Sequence, residues 1–238
     1  MTDMSASGGG TKRVYRVRLS PNFGPRPAGV PIDILLLHYT GMESAEAALD
    51  RLCDPAAQVS CHWLIEEDGT IWQLVEEQHR AWHAGKAYWA GETDINSRSI
   101  GIELVNPGHE HGYRPFPAAQ MEALAILARE ILTRHPIPPH RVLGHSDVAP
   151  ERKLDPGELF DWAWLASRGV GIWPAGKAVE PSRDPASDLR RIGYELTYTE
   201  PDRAVIEAFQ RHFLPAHLSG RLDLETLRRL ADVTAVTA

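Results

Sequence analysis

Cysteine is scarce in this chain of 238 residues: Cys53 and Cys61 stand alone, without CxxC spacing. Two thiols are too few for a disulfide framework. We read both as semi-buried free thiols, with a single bridge between them as the other arrangement. Long apolar runs are missing as well. The strongest, Ile34 to Leu37 within Ile32–His38, is far short of the roughly 20 residues needed to cross a bilayer, so no transmembrane segment is expected. Nor is there an excess of positive charge. The net charge of −7 and pI near 5.9 exclude a broad electrostatic footprint for nucleic acid or an anionic membrane surface. Met1 to Lys12 is polar and rich in Ser and Gly, with no apolar stretch after a positive start, so it reads as a flexible tail rather than an export signal. That reading favours the cytoplasm, with the periplasm as the alternative. HExxH, the usual local signature of a zinc peptidase, is also absent.

What remains is the composition of an ordinary globular protein, 43% hydrophobic and 24% charged. The length suits one large domain, or a medium one with a small companion. Asp33-Ile-Leu-Leu-Leu-His38 has the continuous apolar character of a buried strand, which puts His38 at a strand terminus. Ser44 can cap a helix that gathers Ala45, Ala48, Leu49 and Leu52 on one face. His62–Glu66 and Thr70–Val75, separated by Asp68-Gly69, predict a hairpin. Ser99–Val105 predicts a strand in which Gly101 marks the close approach of another backbone or a ligand and Glu103 shares its face. From Pro117, Met121, Leu124, Ala125, Ala128, Ile131 and Leu132 recur at helical spacing until Pro136. Arg141–His145 reads as a short strand ending in a second histidine, followed by an irregular loop at 146–157 and a helix near Glu158–Ala166.

Between Gly169 and Asp188, three prolines among Gly, Ser and charged residues mark a linker. Beyond it, Leu189 and Ile192, then Val205, Ile206, Phe209 and Phe213, then Leu222, Leu224, Leu227 and Leu230 predict three short helices, the second starting near Pro201 and the third capped by Asp223. The organisation expected is a domain over residues 1–180, with 1–12 as the tail, and a helical module over 181–238. The fold class is α/β, a mixed central β-sheet flanked by helices, with the small three-helix module appended.

His38, His145 and Asp155 stand where strands end or loops begin, and two histidines with a carboxylate are a common catalytic zinc set that leaves a fourth position for water. Spacing alone raises this site without establishing it. The segments Leu35-Leu-Leu-His38-Tyr-Thr-Gly41, Ala81-Trp-His83-Ala-Gly85, Ser99-Ile-Gly-Ile-Glu103-Leu-Val-Asn106 and Gly144-His145-Ser-Asp-Val-Ala-Pro-Glu-Arg-Lys153-Leu-Asp155-Pro-Gly157 fall in order across most of residues 30–175. Together they resemble the type 2 N-acetylmuramoyl-L-alanine amidases, the family that also holds the peptidoglycan recognition proteins. The nearest likeness is to the bacterial branch acting on anhydromuramyl peptides. More loosely, Ala204–Phe213 followed by Gly220–Leu227 resembles a peptidoglycan-binding three-helix module.

The resemblance implies one zinc ion on His38, His145 and Asp155, Glu103 as general base and Lys153 as electrostatic stabiliser. It further implies that Trp82, His83 and Asn106 contact substrate, although Asn106 before Pro107 is also an ordinary turn residue. His62 is read as a packed residue beside the site. Members of the phage type carry a tyrosine where Cys61 lies, so no tyrosine-assisted step is implied. The implied activity is hydrolysis of the amide joining N-acetylmuramic or 1,6-anhydro-N-acetylmuramic acid to L-alanine, in cell-wall turnover or recycling. Its partners would be peptidoglycan fragments or cell wall. A non-catalytic muropeptide receptor of the same fold is the alternative, and the oligomeric state stays open. If the module holds polymeric wall, its deletion should weaken wall binding far more than turnover of soluble fragments.

Overall fold

The computed structural model describes residues 15–176, 180–197 and 199–237. The tail expected over residues 1–12, and part of the linker, lie outside them. In chain order the strands are β1 (Arg16–Val17), β2 (Phe23–Pro25), β3 (Ile34–Tyr39), β4 (Trp63–Ile65), β5 (Ile71–Gln73), β6 (His79–Ala81), β7 (Ser99–Leu104) and β8 (Val142–Gly144). The helices are α1 (Ala45–Cys53), α2 (Ile95–Arg98), α3 (Ala118–Arg134), α4 (His145–Val148), α5 (Trp162–Ser167), α6 (Pro185–Ile192), α7 (Arg203–Phe213) and α8 (Leu224–Thr237). Six strands form one mixed sheet in the order β1-β5-β4-β7-β3-β8, while β2 and β6 pair separately.

The sheet is built around β3, which runs parallel to β7 on one side and to β8 on the other. Parallel strands of this kind are buried on both faces, which is why Ile34 to Leu37 is an unbroken apolar run. Successive side chains point to opposite faces. Leu35 and Leu37, with Ile100, Ile102 and Leu104, pack under α3 through Met121, Leu124, Ala128 and Ile131. Ile34 and Leu36 face the other way, into a core shared with Leu143, Val148, Leu189, Val205, Phe209 and Leu230. The last three helices therefore clothe the second face of the sheet. A smaller cluster seats Ala48, Leu49 and Leu52 of α1 against Leu64, Leu74 and Val105.

Local signals were reliable where chemistry was local. The Ser44 hydroxyl caps α1 by accepting from the Ala47 N–H at 3.2 Å. Asp68 and Gly69 make the turn between antiparallel β4 and β5, with Gly69 at φ 87° and the Asp68 carboxylate accepting from Thr70 N–H at 2.8 Å. Both cysteines are free. His145 departs from expectation: it opens α4 instead of ending a strand, because the chain turns out of β8 at Gly144. Among the described residues no helix is long and apolar enough to cross a membrane.

Candidate metal centre and active site

Alternation along β3 puts His38 on the face of Ile34 and Leu36, one step beyond the apolar run. In β7 the residues directly opposite are Ser99, Gly101 and Glu103, with His38 paired to Glu103. The carboxyl ends of parallel strands are where α/β sheets open into a crevice. His145 arrives there as the first residue after β8, and Asp155 on the loop that follows α4.

The three side chains converge. His38 Nδ1 lies 2.9 Å from His145 Nδ1 and 3.0 Å from Asp155 Oδ2, and His145 Nδ1 lies 3.1 Å from the same oxygen. All three residues are at most 5% exposed. Four-coordinate zinc with bonds of ~2.0–2.1 Å keeps its ligand atoms about 3.3 Å apart, so a triangle of this size is a metal-sized one.

Proton placement makes the same point. His145 Nε2 lies 3.0 Å from the Ala84 carbonyl, which can only accept, so Nε2 carries the proton and Nδ1 is a bare lone pair. For His38 the direction is set three groups away. Ser99 Oγ–H donates to the Ile95 carbonyl at 2.7 Å, which leaves Oγ to accept from His83 Nε2–H at 3.2 Å. His83 Nδ1 is then an acceptor and takes the proton of His38 Nε2 at 3.0 Å. Both inner nitrogens thus present lone pairs to each other and to a carboxylate oxygen. Such a trio is mutually repulsive unless a cation sits among it, and outer N–H groups tied in this way hold metal-ligating imidazoles in one orientation. The residues fit a divalent metal.

The electrostatics agree. Burial, and next to it the neighbouring His145, hold His38 down at about 4, so the ring is neutral near pH 7. Glu103 is the opposite case: burial and then the charge of Asp155 drive its carboxyl well above the ordinary value, against the pull of Lys153. Its Oε2 is buried with no hydrogen-bond partner among the described residues.

A cleft of about 400 Å³ opens over these groups, lined by His38, Glu103, His145, Lys153 and Asp155, with Trp82 and His83 on one wall. Seven of the eight residues singled out from sequence thus meet at one place. Asn106 does not. It is fully buried behind the cleft, its amide donating to Arg114 O at 2.7 Å and accepting from Gly108 N–H at 3.0 Å, so it clasps a loop. His62 is packed behind His83, its Nδ1 accepting from Gly101 N–H at 2.9 Å.

Other contributors gave no sequence signal of their own. The Asn96 side-chain oxygen receives the N–H groups of both His83 and Ala84, at 3.0 and 2.8 Å, and so fixes the segment that contacts both His38 and His145. Its position one residue into the four-residue α2 carries no periodicity to detect. At the rim, Tyr39 Oη lies 2.9 Å from His109 Nδ1, and His109 stacks on Tyr113 at 4.3 Å.

Comparisons with known proteins agree with this geometry. A family profile described as N-acetylmuramoyl-L-alanine amidase matches residues 28–158. The chain is 41% identical over 225 aligned residues to the N-acetylmuramoyl-L-alanine amidase AmiD of Escherichia coli (strain K12), covering 82% of this chain and 79% of that one. To the 1,6-anhydro-N-acetylmuramyl-L-alanine amidase AmpD of Haemophilus influenzae it is 35% identical, over 60% of this chain and 85% of that one. Among solved structures, the E. coli AmiD complex with the substrate anhydro-N-acetylmuramic acid-L-Ala-D-gamma-Glu-L-Lys superposes with a TM-score of 0.78 at 37% identity, over 98% of this chain and 97% of that one. AmpDh3 of Pseudomonas aeruginosa in complex with anhydromuramic pentapeptide gives 0.77 at 32% identity, over 90% and 94%. With sheet, histidine pair and matched segment all in accord, the chain belongs to the N-acetylmuramoyl-L-alanine amidase family.

Proposed function

We propose that this amidase uses one zinc ion, held by His38, His145 and Asp155, to hydrolyse the amide between anhydro-N-acetylmuramic or N-acetylmuramic acid and the L-alanine of a peptidoglycan stem peptide. The observation that carries the reading is the triangle of three proton-free ligand atoms 2.9–3.1 Å apart at the floor of the cleft. Similarity to a relative named for anhydromuramyl substrates, and to two solved in complex with anhydromuramyl peptides, supports the substrate class.

His38, His145 and Asp155 would hold the zinc, which would lower the pKa of a water from 15.7 to about 7 and so supply a nucleophile at neutral pH. Glu103, opposite His38 in register and with a free oxygen, takes up the proton of the attacking water and delivers it to the leaving nitrogen. An amide nitrogen leaves poorly without that proton. Burial, and after it the charge of Asp155, raise the Glu103 carboxyl; a divalent cation on His38, His145 and Asp155 would oppose that and favour the base form. Lys153 lines the same cleft, and its charge is felt at both His38 and Glu103, so it is placed to favour the oxyanion as that charge develops. Trp82 and His83 offer a wall for the sugar or its lactyl arm. In this reading residues 1–180 supply every reacting group, and 181–238 serve them from outside the cleft.

The test is a product profile. Incubation with anhydromuramyl and ordinary muramyl peptides, with and without a chelator, should release an intact stem peptide beginning with L-Ala only when metal is present. Cleavage within the stem would replace the amidase reading with a peptidase one, and a protein without stoichiometric zinc would favour the muropeptide receptor.

A further inference from the structure

His145 stands on a helix that cannot hold itself. α4 is four residues long, and a single turn is unstable without outside support. The support centres on Asp147, which is 1% exposed. Its Oδ2 accepts from the Gly144 N–H at 2.7 Å and so fixes the turn that leads into His145. The same oxygen lies 2.7 Å from His212 Nδ1, and Oδ1 accepts from the Tyr194 hydroxyl at 2.6 Å. A carboxylate this deeply buried persists only with such donors. Two of the three come from the C-terminal segment: Tyr194 follows α6, and His212 lies in α7.

The contact is shaped as well as polar. The His212 ring stacks on Trp162 at 3.8 Å and on Phe213 at 3.9 Å, which aims Nδ1 at the carboxylate. The braced turn also touches the third ligand. Ser146 N–H donates to the Asp155 carbonyl at 2.9 Å, and a Cβ at Gly144 would stand 2.7 Å from Pro156 Cδ. Any shift of Gly144–Ser146 thus moves two ligand-bearing segments together.

We propose that Asp147, clamped by His212 and Tyr194, is a positioning residue for the metal ligand His145. The C-terminal helices are then part of the apparatus that sets metal affinity. This rests on the metal reading above and concerns residues that touch neither metal nor substrate.

The test uses the full-length protein. His212→Phe keeps the ring stack and deletes the donor; His212→Asn restores an N–H near the position of Nδ1; Tyr194→Phe removes the second donor. Zinc affinity is measured by competition with a chromophoric chelator, together with kcat and KM on a soluble anhydromuramyl peptide and the melting temperature of the metal-free protein. Disturbing groups that orient metal ligands typically costs about 10–100-fold in affinity or activity. His212→Phe should weaken zinc at least about tenfold and lower kcat with KM little changed, and His212→Asn should recover most of both. Should His212→Phe fail to fold, Tyr194→Phe decides by the same readouts. Wild-type zinc affinity in the phenylalanine variants overturns the proposal. So does a loss confined to metal-free melting, or one that His212→Asn does not repair. A wild-type protein that takes up no zinc removes the metal reading itself, and this inference with it.

Discussion

The imidazole of His83 lies so close over Gly101 that a Cβ on the glycine would stand 2.6 Å from its Cγ. Gly101 lies in β7, where its φ is not in the left-handed region, so alanine is excluded by the ring and not by the backbone. His83 in turn receives the proton of His38 Nε2. Gly101→Ala should therefore push His83 aside and let His38 turn. We expect zinc affinity to fall about 10-fold or more, at a cost of about 1–3 kcal/mol in stability from overpacking. Chelator competition and urea unfolding measure the two effects separately, and unchanged affinity would mean that His83 does not orient His38.

Glu103→Gln preserves shape and removes the base. The variant should retain one zinc per chain by atomic absorption, while turnover of an anhydromuramyl peptide falls by about 10²–10⁴-fold. Near-normal turnover would remove Glu103 from the proton path.

His62 gives the protein a pH dependence independent of the metal trio. Burial, then the adjacent Arg26, lower it from 6.5 to about 3, and its ring is held neutral between Gly101 N–H and the His79 carbonyl. The unfolded chain takes up this proton near pH 6.5 and the folded one does not, so the contribution is complete above about 6.5 and is lost as the pH falls toward about 3. The slope is about 1.4 kcal/mol per pH unit within that window. His62→Asn keeps an acceptor for Gly101 and removes the titration. Urea unfolding in chelator from pH 7 to 4 should show a shallower decline for the variant, and parallel slopes would refute the assignment.

Removal of residues 181–238 should do more than detach a wall-binding accessory. It would bare Ile34, Leu36, Leu143 and Val148, each at most 2% exposed. At about 1.5–3 kcal/mol per side chain this rivals the ~5–15 kcal/mol that holds a typical domain together. We expect the truncated chain to lose turnover of soluble fragments as fully as binding of intact wall. Circular dichroism melts and both assays compare the two chains, and a truncated protein with normal turnover of small fragments would restore the accessory view.

The legible parts of this fold were those written in short range. The apolar run to His38, the Ser44 cap, the Asp68-Gly69 turn and the α3 stripe each carry their own pattern, and each stands in the structure close to where it was expected. The candidate metal trio was legible as residue types and gained weight through likeness to a family, since positions 38, 145 and 155 share no local spacing. Asn96, Ser99, Asp147 and His212 were silent. They act through partners at separations such as 65 residues between Asp147 and His212, and no periodicity encodes such a meeting. Asn106 was ambiguous, because an asparagine that closes a loop and one that contacts substrate look alike in a sequence, and the structure shows the loop contacts.

The wide spacing of the metal trio has a thermodynamic consequence. His38 and Asp155 are 117 positions apart, so only the folded chain can offer all three donors at once. A cation that binds the native state and not the unfolded one adds about RT ln(1 + [M]/Kd) to folding free energy, near 4 kcal/mol at a thousandfold excess over Kd. Metal supply would then govern how long each molecule survives proteolysis as well as how fast it works, and starvation for the ion would clear the idle enzyme from its surroundings.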